Sequence, residues 1–357
     1  VTCAEWDSEA DHWELRCADG WSGTADVVIS GQGPLSAPSI PDIPGLAEFT
    51  GPVFHSAEWD HDVDLAGKRV AVVGTGASSV QIVPGIQPEV GELLVFQRTP
   101  PWVVPRPDRP VSERRKRLYR RFPAVQRVVR SAIYWARELL VVPMVHRPSL
   151  LSLGEAQAKA HLARQVRDPE LRAKLTPDYS MGCKRVLLSN DYYPAVAAPN
   201  TRLVTEGIDK VGRTSVLTED GTEHPVDVIV LATGFHVTDH PMGDCVRGRD
   251  GRTLNEHWGE GQSAYLGTAV SGFPNLFSII GPNTGLGHTS MIVMMEAQFT
   301  YILGALAHMR RSGATTLEVR PEVQAAYDDE IQRRLEGTVW SSGCASWYLD
   351  ANGRNTT

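Results

Sequence analysis

The sequence predicts an α/β doubly wound fold carried by two domains, and three observations lead there. The chain has 357 residues, enough for two domains at roughly 100–200 residues each. Arg69-Val-Ala-Val-Val73 reads as one apolar run, the pattern of a parallel strand buried on both faces. From Lys68 onward, strand, glycine turn, helix and strand alternate, the order that builds a parallel sheet covered by helices.

The elements follow from the N-terminus. Trp13-Glu-Leu-Arg-Cys17 and Ala25-Asp-Val-Val-Ile29 flank the turn dipeptide Asp19-Gly20, which predicts a hairpin. Gly33-Pro-Leu-Ser-Ala-Pro38 and Pro41-Asp-Ile-Pro-Gly45 form a connection stiffened by proline. Strands are expected at Arg69–Val73 and Leu93–Phe96, then a helical insertion over about 112–175, then strands at Arg202–Val204 and Asp227–Ala232. Helices close the chain at about Ser290–Met309 and Glu322–Leu335.

Composition narrows the function classes. Lys and Arg total 35 against 42 Asp and Glu, a net charge of -7, which excludes a general nucleic-acid binder. The basic run Arg114-Arg-Lys-Arg117 with Arg120 and Arg121 reads as a solvated helix face, with a peripheral membrane contact as the lesser alternative. The 5 cysteines are never spaced Cys-x-x-Cys, which excludes zinc-ribbon and disulfide-reductase readings and suits a cytoplasmic protein. No metal-ligand pattern stands out. No signal peptide and no apolar run near the ~20 residues of a membrane span is evident.

Gly74-Thr75-Gly76-Ala77-Ser78-Ser79 follows the first long strand and opens a helix. The first glycine makes the tight turn, the second lets backbone approach a pyrophosphate, and the helix N-terminus offers N–H groups to the anion. Ser79 replaces the usual third glycine or alanine, which is expected to loosen helix–strand packing. The next strand ends in Gln97-Arg98-Thr99, where an NAD site would place a carboxylate for the ribose hydroxyls. Arg98 instead offers a planar fork suited to a 2′-phosphate, favouring NADPH.

Phe49-Thr-Gly51-Pro-Val-Phe-His55-Ser-Ala-Glu-Trp59-Asp60 precedes this motif. It resembles the fingerprint of the Baeyer–Villiger monooxygenases, Phe-x-Gly-x-x-x-His-x-x-x-Trp followed by Pro or Asp. Gly33-Pro-Leu-Ser36, Ala232-Thr-Gly-Phe235, Cys183-Lys184-Arg185 with Asp191-Tyr-Tyr193, and Ala345-Ser-Trp347-Tyr-Leu-Asp350 resemble further segments of that family. The resemblance spans nearly the whole chain.

The resemblance implies a two-dinucleotide-binding-domain fold (FAD/NAD(P)-binding, Rossmann-like) with the helical insertion in its NADPH domain. It assigns 1–48 and 216–357 to the FAD domain, 49–65 to a linker and 66–215 to the NADPH domain. It also places the family's first Gly-x-Gly-x-x-Gly and an active-site aspartate ahead of Val1. A fragment that lacks the first FAD-binding βαβ unit, and holds FAD weakly, is therefore expected. The implied activity uses FAD, NADPH and O2 to convert a ketone or other hydrophobic substrate to an ester or lactone through a flavin peroxide. The implied roles are Arg185 as the catalytic cation, Lys184 as a second 2′-phosphate ligand, and His55 and Trp59 as a structural hinge. Trp347 is expected at bound NADP or in the core, and Asn283 and Met291 at a helix entry facing the flavin. The alternatives are an N- or S-oxygenating flavin monooxygenase and a non-catalytic NADP-binding fragment.

Overall fold

The computed structural model describes residues 1–357 apart from 240, 260, 342, 345, 351 and 357. The chain forms two compact units. One comprises Val1–Ala37, Ala124–Pro148 and His236–Thr357; the other comprises Pro38–Pro123 and Ser149–Phe235.

The second unit is built on a parallel sheet of five strands: β1 (Val53–His55), β2 (Arg69–Val73), β3 (Glu92–Phe96), β4 (Thr201–Val204) and β5 (Val228–Leu231). Their order across the sheet is β4-β3-β2-β5-β1. Side chains alternate between faces as the two-residue period requires. Val70, Val72, Leu93, Val95, Val228 and Val230 pack on one side with Val80 and Val83 of helix α1 (Ser79–Ile86). Ala71, Leu94, Phe96, Ile229 and Leu231 pack on the other with Val211 and Val216 of a three-stranded antiparallel sheet and with Val226 just after it. Burial on both faces explains why these strands read as unbroken apolar runs. From β2 the chain steps to β3 and β4 on one side and returns to β5 on the other. The switch point therefore lies between β2 and β5, where α/β sheets bind ligands at their carboxyl edge.

The first unit holds the antiparallel strands Cys3–Asp7, His12–Arg16 and Ser22–Ala25, with Val246–Arg247 added in parallel. Trp6 and Trp13 meet edge to face at 5.6 Å beneath this sheet, and the Trp13 indole donates to the Pro274 carbonyl at 2.8 Å. Val28–Ser30 pairs in parallel with Leu276–Ser278. Helix α2 (Pro123–Glu138) and helix α3 (Met291–Ser312) belong to this unit, as does Pro321–Leu335.

The structure adds to the expected elements at four places. The hairpin partner of His12–Arg16 is Ser22–Ala25, while Val28–Ser30 joins a different ladder, because the chain turns between them at Asp26 and Val27. Within the segment 49–65, expected as an inter-domain linker, Val53–His55 forms β1, paired with β5 at the edge of the second unit's sheet. The units divide differently from the expected domains. Residues 216–235 stay with the second unit because β5 is a central strand, and 124–148 of the helical stretch join the first. Finally, α3 is by length and composition long and apolar enough to cross a membrane, where no such run was expected. The basic helix Glu113–Arg121 buries no side chain, as its charge pattern predicted.

Candidate functional site

In the second unit the site grows from the carboxyl end of β2. Gly74 makes the turn at φ 106°, and a Cβ there would lie 2.5 Å from the Ala232 carbonyl oxygen after β5. Glycine is thus required twice, by the left-handed backbone and by close approach. Gly74 N–H donates to the Phe96 carbonyl at 3.0 Å, and Thr75 Oγ1 donates to the Thr99 carbonyl at 3.0 Å. Those bonds lock the loop after β2 to the loop after β3. A Cβ on Gly76 would meet nothing within 4 Å, so open space lies over the second glycine. Gly76 and Ala77 are exposed and Ser78 is half-buried. Ser78 precedes α1 without a side-chain cap, which leaves the helix N-terminus to an outside acceptor. Ser79 is fully buried and its hydroxyl has no partner. Its small side chain fits beneath α1, against the expected loosening, at the cost of an unpaired polar atom. These features fit a dinucleotide pyrophosphate.

Arg98 is exposed beyond β3. Lys184 is half-buried, its ammonium 5.0 Å from the centre of the Tyr179 ring. Burial lowers the Lys184 pKa, and the nearby Arg98 guanidinium lowers it further. Two cations brought together against their own repulsion are what a phosphate dianion would relieve. Arg98 and Lys184, both expected at the 2′-phosphate, are thus close enough for the charge of one to act on the other. Arg185 follows, exposed. Tyr179 was missed; its hydroxyl donates to the Pro100 carbonyl at 3.2 Å, and no sequence spacing announces it.

The fingerprint residues are fixed by contacts within the same unit. A Cβ at Gly51 would meet the Asp227 carbonyl oxygen at 2.3 Å and the Phe49 ring at 2.7 Å. His55 is buried opposite Leu231 in the β1–β5 ladder and stands edge-on to Phe235 at 5.5 Å. Its Nδ1 accepts from Ala57 N–H at 3.1 Å, which puts the proton on Nε2. Burial pushes its pKa down, partly opposed by the Gly234 backbone and by Glu58. Trp59 packs edge-on to Phe54 at 5.0 Å, while Asp60 is exposed and accepts from Asp62 N–H at 3.0 Å. Of these contacts, those of His55 reach the strand end at Leu231 and Phe235 just beyond it.

In the first unit, Asn283 is left-handed at φ 58°. Its N–H donates to the Thr356 carbonyl at 2.9 Å and its Nδ2 to the Asn355 carbonyl at 2.6 Å. Met291 opens α3, whose cap Ser290 accepts from Ile292 N–H at 3.3 Å. The parallel strand ends at Ser30 and Ser278 and this helix start lie in one unit, and such carboxyl edges and helix N-termini suit one side of a flavin ring. Trp347 is 42% exposed and its ring lies tilted against Tyr348 at 4.5 Å. Ala345 of the C-terminal motif lies outside the described residues.

Comparison with known proteins places this geometry. Residues 6–129 match the family model "Flavin-binding monooxygenase-like". A Baeyer–Villiger monooxygenase of Streptomyces coelicolor is 51% identical over 354 residues, 99% of this chain and 68% of that protein. One from Pseudomonas aeruginosa is 49% identical, over 99% of this chain and 67% of its own length. Among solved structures, the OTEMO complex with FAD and NADP is similar at TM-score 0.88 and 28% identity, covering 99% of this chain and 75% of that one. Oxidized steroid monooxygenase bound to NADP is similar at TM-score 0.84 and 31% identity, covering 100% and 74%.

Proposed function

This chain belongs to the Baeyer–Villiger family of flavin-binding monooxygenases, and from that premise we propose that it uses FAD, NADPH and O2 to insert one oxygen atom into a ketone. The observation that carries the reading is the second unit's switch-point site, where an open glycine turn and an uncapped helix are bonded to the loop that carries Arg98. When bound, the two cofactors supply hydride transfer and oxygen activation; the protein supplies position, charge and water exclusion.

Gly74, Thr75, Gly76, Ala77, Ser78 and Ser79 would hold the pyrophosphate, by backbone N–H groups rather than side chains. Arg98 and Lys184 would hold the 2′-phosphate, with Thr99 fixing the loop through its carbonyl bond to Thr75. Arg185 would keep a permanent positive charge for the oxygen-transfer step, since a guanidinium is not deprotonated in proteins. Asn283 and Met291 would border the flavin, and Trp347 the bound NADP. Phe49, Gly51, His55, Trp59 and Asp60 would fix the crossing between units without taking part in bond making.

The test is product analysis on the full protein supplied with FAD, NADPH and O2. A cyclic ketone is offered beside a thioether and a tertiary amine. Lactone formation is the expected outcome; sulfoxide or N-oxide without lactone would overturn the ketone assignment in favour of heteroatom oxygenation.

A further inference from the structure

Of the 22 residues of α3, the buried ones are Gln298 and Ile302. An amide at 3% exposure is costly unless every donor and acceptor is met. Gln298 meets them all on two turns of the first unit. Its Oε1 accepts from Ile280 N–H at 2.9 Å. Its Nε2 donates to the Gly267 carbonyl at 2.9 Å, to Thr268 Oγ1 at 3.0 Å and to the Ser278 carbonyl at 3.2 Å. The Thr268 hydroxyl spends its own proton on the Leu266 carbonyl at 2.9 Å, which leaves its lone pairs for the amide.

Both turns are strained. Leu266 and Gly267 stand at φ 52° and 61°, Ile280 and Asn283 at 57° and 58°. A β-branched residue such as Ile280 is among the least tolerant of that region, and it persists there only where its surroundings over-determine it. The turns also press closely on each other. A Cβ on Gly281 would meet the Gly267 carbonyl oxygen at 2.5 Å, and one on Gly267 would meet Thr284 Cγ2 at 2.1 Å. Without the amide of residue 298, the partly buried Ile280 N–H would lose this acceptor. The cheapest escape is to leave the left-handed region, which rotates the 280–281 peptide and moves the Gly281-Pro-Asn283 turn.

We infer that Gln298 is a positioning residue: a buried latch that holds Ile280 left-handed and so fixes the Gly281–Asn283 turn at the entry to α3. The latch stands on hydrogen bonds and dihedrals alone. Its bearing on the reaction rests on the reading above that this turn borders the flavin.

The test is a double-mutant cycle on the full chain, with Gln298→Leu, Ile280→Gly and the two combined. Glycine accepts the left-handed region without strain, so Ile280→Gly is expected to be far less harmful, or restoring, in the Gln298→Leu background. Gln298→Leu alone is expected to lower Tm by several degrees and to speed hydrogen exchange at the residue 280 amide by on the order of tenfold or more. Exchange in the Cys3–Arg16 hairpin should be unchanged. If Gln298→Leu does not fold, folding of the double variant supports the latch, and failure of both overturns it. Strictly additive effects, or an unchanged residue 280 amide, also overturn it. In protein loaded with FAD, Gln298→Leu should shift the flavin absorption band and Ile280→Gly should partly reverse the shift. A coupled Tm with an unmoved flavin band would keep the latch and refute the flavin-bordering reading instead.

Discussion

At the residue scale, the informative side chains are charges held near other charges. Arg98 is exposed and Lys184 is half-buried, and their repulsion is part of what lowers the lysine's pKa. Replacing Arg98 by alanine is expected to weaken NADPH by roughly 10- to 100-fold, the worth of a charge-assisted contact, while NADH changes little. Titration of both cofactors by fluorescence checks this; equal losses would remove Arg98 from the phosphate role. Arg185→Ala is expected to spare much of flavin reduction and to cut product formation by about 10²–10³, the usual cost of losing one donor to a developing anion. NADPH consumption without product, with hydrogen peroxide released, is the outcome to look for in coupled stopped-flow and product measurements. Arg98 was legible because it replaces a carboxylate at a strand end. Tyr179 was not, because a ring under the ammonium of Lys184, five residues on, depends on how the loop between them folds.

At the element scale, the β2 turn and the ends of β2 and β5 carry the argument. Gly74→Ala places a methyl 2.5 Å from the Ala232 carbonyl in a left-handed backbone. The backbone term alone costs about 1–2 kcal/mol, and relieving the clash opens the switch point. Loss of NADPH binding together with a lower Tm is expected in calorimetry. At the other end of the strand, Asp227 accepts from Arg69 N–H at 2.8 Å and takes its guanidinium at 2.6 and 3.1 Å. Arg69 holds the Asp227 carboxyl down to about 2 from 3.8. The unfolded chain therefore binds the proton first as pH falls. The stabilisation is complete above the ordinary carboxylate value and is lost between there and about 2. Both side chains are more than a third exposed, so the effect is modest. Asp227→Asn should flatten the stability curve across that acid window in denaturant melts; an unchanged slope would assign the pH dependence elsewhere.

At the scale of the whole molecule, two units with separate cores predict a divided response to ligand. NADP⁺ at about 100 times its Kd should stabilise the unit that binds it by roughly 2.7 kcal/mol. Hydrogen exchange should slow across β2, the Gly74–Ser79 turn and residues 97–99, while the Cys3–Arg16 hairpin keeps its rates. Protection spread evenly over both units would contradict the placement of the site.

What the sequence alone determined is whatever local chemistry writes into a short stretch. Strands β2, β3 and β5 were legible because burial on both faces leaves only apolar residues. The nucleotide turn was legible because its first glycine is required by backbone geometry. The fingerprint was legible as a pattern of fixed residues. Tertiary structure decided the rest, because pairing joins residues that no spacing relates. It put β1 and β5 side by side, and so carried the fingerprint into the second unit's sheet. It gave Val28–Ser30 to Leu276–Ser278 rather than to the nearby hairpin, whose outer place Ser22–Ala25 already held. It brought Lys184 to Arg98 across 86 residues of chain, and it turned a glutamine inside an apolar helix into the partner of a strained isoleucine.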